Sequence, residues 1–390
     1  MSPRSILFFA NFFFSMLSAL AGYILLPYLS TLMPVSYTGV VVAGGGLAAL
    51  LFFPFLPRII ARWGAQQITL VLGLIEMIVL LMLATGPSIA MSVTLIILFV
   101  AVQPFIAYGL DILLEAAGTT ADMTGRVRAL FLTAWSTGSF VAPLLLGVLM
   151  NGTNEYALVF IAATGALVPF VLLFAARRLP IGANPEISPM QDSLACILRN
   201  RDIAAVTFGH IILWLFYVWA PLYVPIYLHN VLGIPWSSLG WIFAVMLIPY
   251  IVIEYPARWL ADRFTEEKNL MFAGFIIAGG ALATVSLITS ESSSLSILGI
   301  LLVSRLGAAL IESMTEGHFF RRVSERDINS VSIFRAAWPL SFVVAPLIGS
   351  IILFFGDYQL LFIITGGFIA IGGALSTLFI KDSRIASTTI

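Results

Sequence analysis

The chain has 390 residues, of which 60% are hydrophobic and only 10% are charged. A typical soluble domain has roughly 25% charged residues, so the composition excludes water as the main solvent and predicts an all-α membrane protein in a lipid bilayer. The equal numbers of basic and acidic residues, 19 each, argue against a nucleic-acid partner, and the single Cys196 excludes an internal disulfide.

Twelve apolar stretches are each long enough to cross about 30 Å of hydrocarbon as a helix. They cover residues 5–32, 38–60, 66–85, 89–116, 128–150, 156–176, 203–229, 236–258, 269–289, 294–317, 330–355 and 359–380. The first stretch is longer than a signal-peptide core, so we interpret it as the first span. Residues 177–202 hold three prolines and four arginines and predict a cytoplasmic linker between two domains, residues 1–176 and 203–390.

Lysine and arginine occur in only every second connection between the predicted spans. Arg58 and Arg62 follow the second span, and Arg263 and Lys268 follow the eighth. The other six connections contain neither lysine nor arginine. They lie around Pro34, Pro87, Gly152, Gly233, Glu291 and Asp357. Because such an excess marks the cytoplasmic side, both termini are predicted to be cytoplasmic, in a plasma or inner membrane.

The two halves of the chain repeat a pattern of acidic and aromatic residues. Each half places two acidic residues four positions apart at the end of its fourth span and, in the next span, a tryptophan eight positions before a proline. The pairs are Asp111 with Glu115, Glu312 with Glu316, Trp135 with Pro143, and Trp338 with Pro346. This repeat predicts two parallel six-span halves, with a solute site near the bilayer midplane.

The loops that follow the second span of each half carry a further shared motif. The first reads Pro57-Arg58-Ile-Ile-Ala61-Arg62-Trp63-Gly64, and the second reads Arg258-Trp-Leu-Ala-Asp262-Arg263. Each keeps part of the Gly-x-x-x-Asp-Arg-x-Gly-Arg-Lys motif, and with the repeat the whole chain resembles the major facilitator superfamily. The resemblance implies two pseudo-symmetric six-helix bundles and a monomeric secondary transporter that works by alternating access, without a cofactor or metal.

The fifth span contains Gly138-Ser-Phe-Val-Ala142-Pro143-Leu-Leu-Leu-Gly147. It is similar to the Gly-x-x-x-Gly-Pro-x-x-Gly-Gly motif of family members that export a solute in exchange for protons. Small residues beside a proline are also found where helices pack closely and bend. The motif therefore favours export, with close helix packing as the alternative explanation.

The resemblance implies that spans one, four, seven and ten line the transport cavity. Arg305 lies roughly 15 Å into the tenth span, where a charge costs roughly 2.5–3.5 kcal/mol. It is interpreted as a ligand for an anionic solute, as a partner of a proton-carrying glutamate, or as half of a structural ion pair. The other candidates are polar or aromatic: Asn11, Ser15, Ser18, Gln103, His210, Trp214 and Tyr217. The aromatic ones either stack on a solute or pack helices together.

Acidic side chains in the spans are candidate proton carriers. They are Asp111, Glu312 and Glu76, of which Glu76 also fits an ordinary buried carboxyl of the third span. Charged residues at the cytoplasmic helix ends are predicted to form a latch that pairs when the cavity closes and separates when it opens. The latch candidates are Arg58, Arg62, Glu115, Glu254, Arg258, Asp262, Arg263, Glu316 and Arg335.

The combined prediction is a secondary transporter that exports a small organic solute, such as a drug or a sugar, in exchange for protons. The alternatives are uptake or facilitated transport of a small anionic metabolite, or a receptor or scaffold that does not transport. An enzyme is not expected, because the three histidines, at 210, 229 and 318, are scattered without a metal-binding spacing.

Overall fold

The computed structural model describes residues 2–117, 121–151, 155–176, 179, 195, 197–323 and 328–381. The side chains of residues 121–126, 128–129, 254–255, 262, 328–330 and 332 also fall outside the description. Cys196, most of the predicted linker, and the side chains of Glu254 and Asp262 therefore lie outside the described residues.

The secondary structure of the described residues is entirely helical. The first half contains α1 Pro3–Leu32, α2 Val35–Phe52, α3 Leu56–Trp63, α4 Ala65–Ala84, α5 Ile89–Ala116, α6 Ala121–Leu149 and α7 Tyr156–Ala176. The second half contains α8 Arg201–Ile226, α9 Trp236–Val245, α10 Ile248–Val252, α11 Glu254–Arg263, α12 Glu267–Thr284, α13 Ser294–Arg322, α14 Ile328–Phe355 and α15 Tyr358–Thr377. Among the described residues, eleven helical stretches are long and apolar enough to cross a membrane, and Trp236–Val252 is a shorter apolar twelfth, so the predicted all-α membrane class is confirmed.

The eighth predicted span is broken into three short helices by its prolines. Proline lacks an N–H and its ring clashes with the carbonyl four residues before it. Pro249 accordingly follows the end of α9 at Val245, and Pro256 follows the end of α10 at Val252. In the second span Pro54 lies in a short 3₁₀ segment, Phe53–Phe55, between α2 and α3.

Gly64 forms the whole connection between α3 and α4. Its φ of 86° and ψ of 142° are adopted almost only by glycine, which explains why the first loop keeps the glycine of the family motif. The corresponding loop of the second half runs from Phe264 to Glu266, and Phe264 there has a φ of −121°. That loop needs no glycine, because three residues make the turn.

The chain divides into two compact units, Met1–Ile187 with Pro225–Ala244, and Ser188–Val224 with Val245–Ile390. In unit 1, α1 packs on α6 and α7, α4 packs on α5 and α7, and α2 packs on α5. In unit 2, α12 packs on both α13 and α15. The predicted domain boundaries at residues 176 and 203 stay a prediction, since most of the residues between them are not described.

Candidate functional site

An aromatic stack lies along one face of α8 in unit 2. The indole Nε1 of Trp214 donates to Nε2 of His210 at 2.9 Å, and Trp214 stacks on Trp338 of α14 with ring centroids 5.2 Å apart. His210 is buried and stacks on Phe334 of the same helix at 3.7 Å. The predicted aromatic face is thus present, and part of it packs α8 on α14.

Tyr217 continues this face toward α13. Its hydroxyl donates to Oε2 of Glu312 at 2.7 Å, and its ring meets that of Tyr250 from α10 at 6.0 Å and that of Trp214 at 5.6 Å. Trp214, Tyr217, Tyr250 and Glu312 are only half-buried, although the residues that flank Tyr217 are buried. These four side chains are therefore partly accessible.

Arg305 lies two helical turns before Glu312 on α13 and is 3% exposed. Its guanidinium lies over the ring of Phe216, 5.0 Å from the ring centroid, and it interacts electrostatically with Tyr250. The Nε of Arg305 has no hydrogen-bond partner among the described residues, whereas the Tyr250 hydroxyl lies close to both Tyr217 and Arg305. A buried charge with an unused donor is costly, so this pair is suited to meet a polar group of a ligand.

We call Trp214, Tyr217, Tyr250, Arg305 and Glu312 the unit 2 cluster. It combines three aromatic rings with one cationic and one anionic side chain, and it is positioned by α8, α10 and α13. Tyr250 is the member that the sequence analysis missed. Its signal was Pro249, which breaks the eighth span and leaves α10 as a separate five-residue helix beside α13.

The small polar face predicted on α1 bonds mainly to α6 within unit 1. The amide of Asn11 donates to the carbonyl of Phe131 at 2.8 Å, and Ser15 donates to that of Trp135 at 2.8 Å. Gly138 makes this approach possible, because a methyl group there would lie 3.1 Å from the backbone nitrogen of Met16. These bonds account for Asn11 and Ser15 as contacts that hold α1 to α6.

Glu76, Gln103 and Ser18 form a hydrogen-bonded chain through unit 1. The hydroxyl of Ser18 donates to Oε1 of Gln103 at 2.5 Å, and the Gln103 amide donates to Oε1 of Glu76. Glu76 is fully buried, and its other carboxylate oxygen has no partner among the described residues. The chain connects the buried carboxyl on α4 through α5 to the half-buried Ser18 on α1.

A second charged cluster in unit 2 was not foreseen. His318 is buried between two buried carboxylates, with Nδ1 3.0 Å from Glu267 and Nε2 3.3 Å from Asp202. Arg321 pairs with Glu267, and Arg322 pairs with Asp202. The cluster joins the ends of α8, α12 and α13. In the part of the chain that the structure describes, neither these three side chains nor any other group of three or more His, Cys, Asp or Glu is placed to hold a metal ion.

The remaining predicted sites lie at helix ends. Asp111 is half-buried near the end of α5, whereas Glu115, Arg58, Arg62 and Arg263 are exposed. Arg258 donates to the Ser313 hydroxyl at 3.4 Å within unit 2, and Glu316 and Arg335 are half-buried. The latch and the proton-carrier assignments stay predictions.

The sequence profile of the Major Facilitator Superfamily matches residues 7–314 and 222–389. No curated protein sequence matches the chain. Among solved structures, that of the nucleoside transporter NupG is similar with a TM-score of 0.76 and 15% identity, covering 97% of this chain and 99% of that one. The structure of a point mutant of NupG is similar with a TM-score of 0.75 and 15% identity, covering 97% of this chain and 100% of that one. At this identity the likeness establishes the fold.

Proposed function

Because the chain belongs to the major facilitator superfamily, we propose that it is a secondary transporter of a small, uncharged solute that combines a planar ring with hydroxyl groups. The observation that carries this proposal is the unit 2 cluster. There the Tyr217 hydroxyl and Glu312 lie 2.7 Å apart, the rings of Trp214 and Tyr250 lie beside that of Tyr217, and Arg305 interacts with Tyr250. Transport is proposed to proceed by alternating access.

The charges of the cluster favour an uncharged solute over an ion. Arg305 and Glu312 carry opposite charges seven residues apart on α13, so an anion that binds Arg305 also meets the repulsion of Glu312. Hydroxyl groups fit both, since they donate to a carboxylate and accept from a guanidinium. Half-buried Trp214, Tyr217 and Tyr250 supply flat apolar surfaces for a ring.

Nucleosides are the first solutes to test, because they have a planar base and a ribose with hydroxyl groups. The solved structures that resemble this chain are those of a nucleoside transporter, at 15% identity. Sugars, which the sequence analysis favoured, supply the hydroxyl groups without a flat ring and provide a direct contrast.

The test is transport of radiolabelled uridine, glucose and succinate by purified protein in proteoliposomes. We expect uridine to be transported, and Tyr217→Phe to reduce kcat/KM by about ten- to a hundredfold, since a hydrogen bond to a charged group is worth about 1.5–3 kcal/mol. Tyr37→Phe is the matched control, because Tyr37 is 54% exposed and lies in unit 1. Uridine transport that Tyr217→Phe leaves unchanged would contradict the proposed site.

A small anionic metabolite is the second candidate solute. The observation that favours it is Arg305, whose buried Nε has no partner among the described residues. If the solute is an anion, the same assay should show transport of succinate and no transport of uridine. Arg305→Gln should then abolish succinate transport. An uncharged solute instead requires uridine to be preferred over succinate.

Coupling to protons and export are further parts of the proposal. Glu312 is the proposed proton carrier because it is half-buried and its carboxylate is bound by Tyr217. With Glu312→Gln, we expect solute exchange to persist while the response to an imposed pH gradient is lost. Export and uptake are distinguished by comparing inside-out with right-side-out vesicles. The direction of the pH gradient that makes the solute accumulate in each kind of vesicle gives the direction of transport.

A further inference from the structure

A cavity of about 310 Å³ lies at one end of unit 2, where α11, the start of α12 and the last turns of α13 converge. This volume is near the lower limit of the roughly 300–1,000 Å³ that ligand pockets enclose. Seven residues line it: Arg258, Ala261, Glu267, Ser313, Gly317, Phe320 and Arg321. The cavity is separate from the unit 2 cluster, with which it shares no residue.

Two guanidinium groups converge on this cavity from different helices. Arg258 of α11 donates to the hydroxyl of Ser313 at 3.4 Å, so these two lining side chains are in contact. Arg321 of α13 has a side chain that is 53% exposed. A guanidinium carries five N–H donors in a planar fork whose geometry matches the oxygens of a phosphate.

The carboxylate that lines the cavity, Glu267, is held by two basic side chains. Glu267 is 5% exposed, its Oε1 pairs with Arg321, and its Oε2 lies 3.0 Å from Nδ1 of His318. The lining thus sets two guanidinium groups, of Arg258 and Arg321, against one buried carboxylate. Because Arg321 and His318 already bind this carboxylate, it repels an anion in the cavity less than a bare carboxylate would.

The outer surface beside the cavity has the composition of a membrane interface. On α11 the side chains of Trp259 and Leu260 are 44% and 37% exposed, and Phe264 follows at 66%. Arg263 lies over the ring of Trp259 at 5.5 Å. Exposed tryptophan with neighbouring arginine is typical of the headgroup region of a bilayer, and the arginine distribution predicts that this end of unit 2 faces the cytoplasm.

We propose that this cavity binds the phosphate group of an anionic membrane lipid. Arg258, Arg321 and the Ser313 hydroxyl donate to the phosphate oxygens, and Gly317 leaves the wall open to admit the headgroup. The acyl chains lie along the apolar outer surface of α11 beside Trp259. Basic pockets between membrane helices on the cytoplasmic side take lipid headgroups for these reasons.

The test measures lipid binding to purified, delipidated protein in a neutral detergent. Native mass spectrometry counts the bound molecules of dioleoyl phosphatidylglycerol, and thermal unfolding gives the accompanying shift in Tm. Phosphatidylcholine and inorganic phosphate are added in parallel. We expect one tightly retained phosphatidylglycerol, weaker retention of phosphatidylcholine, and no shift with inorganic phosphate alone.

Four variants locate the site. Arg258→Gln and Arg321→Gln are each expected to weaken phosphatidylglycerol binding about fivefold, the effect of roughly one basic contact near a membrane surface. Gly317→Met is expected to abolish the tight binding, because its side chain fills the cavity without changing the charge. The variant is expected to fold, since a methyl group at this position would lie 3.5 Å from Glu267 and clash with nothing. Lys268→Gln is the matched control, because Lys268 lies on the same end of unit 2, pairs with Glu266 at 2.7 Å and does not line the cavity.

Three results would overturn the proposal. Equal weakening by Lys268→Gln would mean that the basic surface attracts lipid without a defined site. A Tm shift with inorganic phosphate as large as that with phosphatidylglycerol would assign the cavity to a free anion. Tight phosphatidylglycerol binding that survives Gly317→Met would place the lipid elsewhere, even if an arginine variant failed to fold.

Discussion

Glu76 is completely buried in unit 1, and its two carboxylate oxygens have different surroundings. One accepts a hydrogen bond from Gln103, and the other has no partner among the described residues. An acidic residue at this depth is a proton-carrier candidate from its residue type alone. Glu76 bonds to a neutral amide and forms no ion pair with a described residue. This environment also fits a structural carboxyl whose only role is to hold α4 to α5.

Glu76→Gln is expected to leave transport and its response to a pH gradient unchanged. The substitution keeps the shape of the side chain, and the Gln103 amide can reorient to bond with the new amide. The measurement is gradient-driven uptake in proteoliposomes, with Glu312→Gln as the comparison that loses the response. If Glu76→Gln abolishes the pH response and Glu312→Gln retains it, Glu76 is the coupling residue and Glu312 is not.

For Arg305 the sequence predicts a functional candidate but does not predict its contacts. Its charge and its depth in the tenth span identified it as a candidate from the sequence. The residues around Arg305 could not be predicted from the sequence, because Phe216 and Tyr250 come from other helices. The same holds for Asn11 and Ser15, whose polar face was predicted but whose partners are carbonyl groups of α6.

At the scale of helices, glycine positions distinguish close contacts from open surface. On α12 a methyl group added at Gly279 would lie 2.5 Å from the carbonyl oxygen of Gly366 and 2.8 Å from Cβ of Ala370, both on α15. The next residue, Gly280, has nothing within 4 Å of the same added group. Small residues therefore set the approach of α12 to α15.

Gly279→Ala is expected to lower the free energy of unfolding by about 1–3 kcal/mol, because the helices must separate to admit the methyl group. Gly280→Ala, the matched control on the adjacent position, is expected to be neutral or to stabilise by up to about 1 kcal/mol. Both are measured by thermal and detergent-induced unfolding. Equal effects of the two substitutions would show that helix propensity, and not the α12–α15 contact, decides stability.

The breaks in the second and eighth spans also belong to this scale. Prolines identified the positions where a helix cannot continue, yet both spans were predicted as single helices. The eighth span ends its first helix at Val245, and the intervening turn places Tyr250 at the unit 2 cluster. A proline restricts the backbone locally, but packing decides whether the helix kinks or separates into pieces.

For the whole molecule, the arginine distribution predicts which connections face the cytoplasm. Cysteine accessibility tests this in a chain whose native cysteine is first removed as Cys196→Ser. Glu291→Cys lies in an arginine-free connection and is expected to react with an impermeant maleimide added to intact cells. Trp63→Cys, at a position 59% exposed beside the arginine-bearing turn at Gly64, is expected to react only after the membrane is made permeable. The reversed result would invert the orientation.

The resemblance to the major facilitator superfamily is confirmed over nearly the whole chain. Its strongest signals, the repeated tryptophan–proline spacing and the charged ends of the fourth and tenth spans, belong to the architecture of the family. They identify a transporter body and leave the solute open, because one fold accommodates many ligands. Drug or sugar export was predicted from the repeat and the paired charges, and the fifth-span motif, whose Gly138 contacts α1, favoured only the export direction.

The sequence by itself determined the all-helical membrane class, the twelve spans, the repeat and the family. These features depend on hydrophobicity, proline position and charge along consecutive residues, so they can be read locally. The tertiary structure alone decided which polar groups meet. Tyr217 and Glu312 are 95 positions apart, and Asp202 and His318 are 116 apart. The cavity between Arg258 and Arg321 likewise exists only where three helix ends converge, because each helix presents a face whose partners depend on packing.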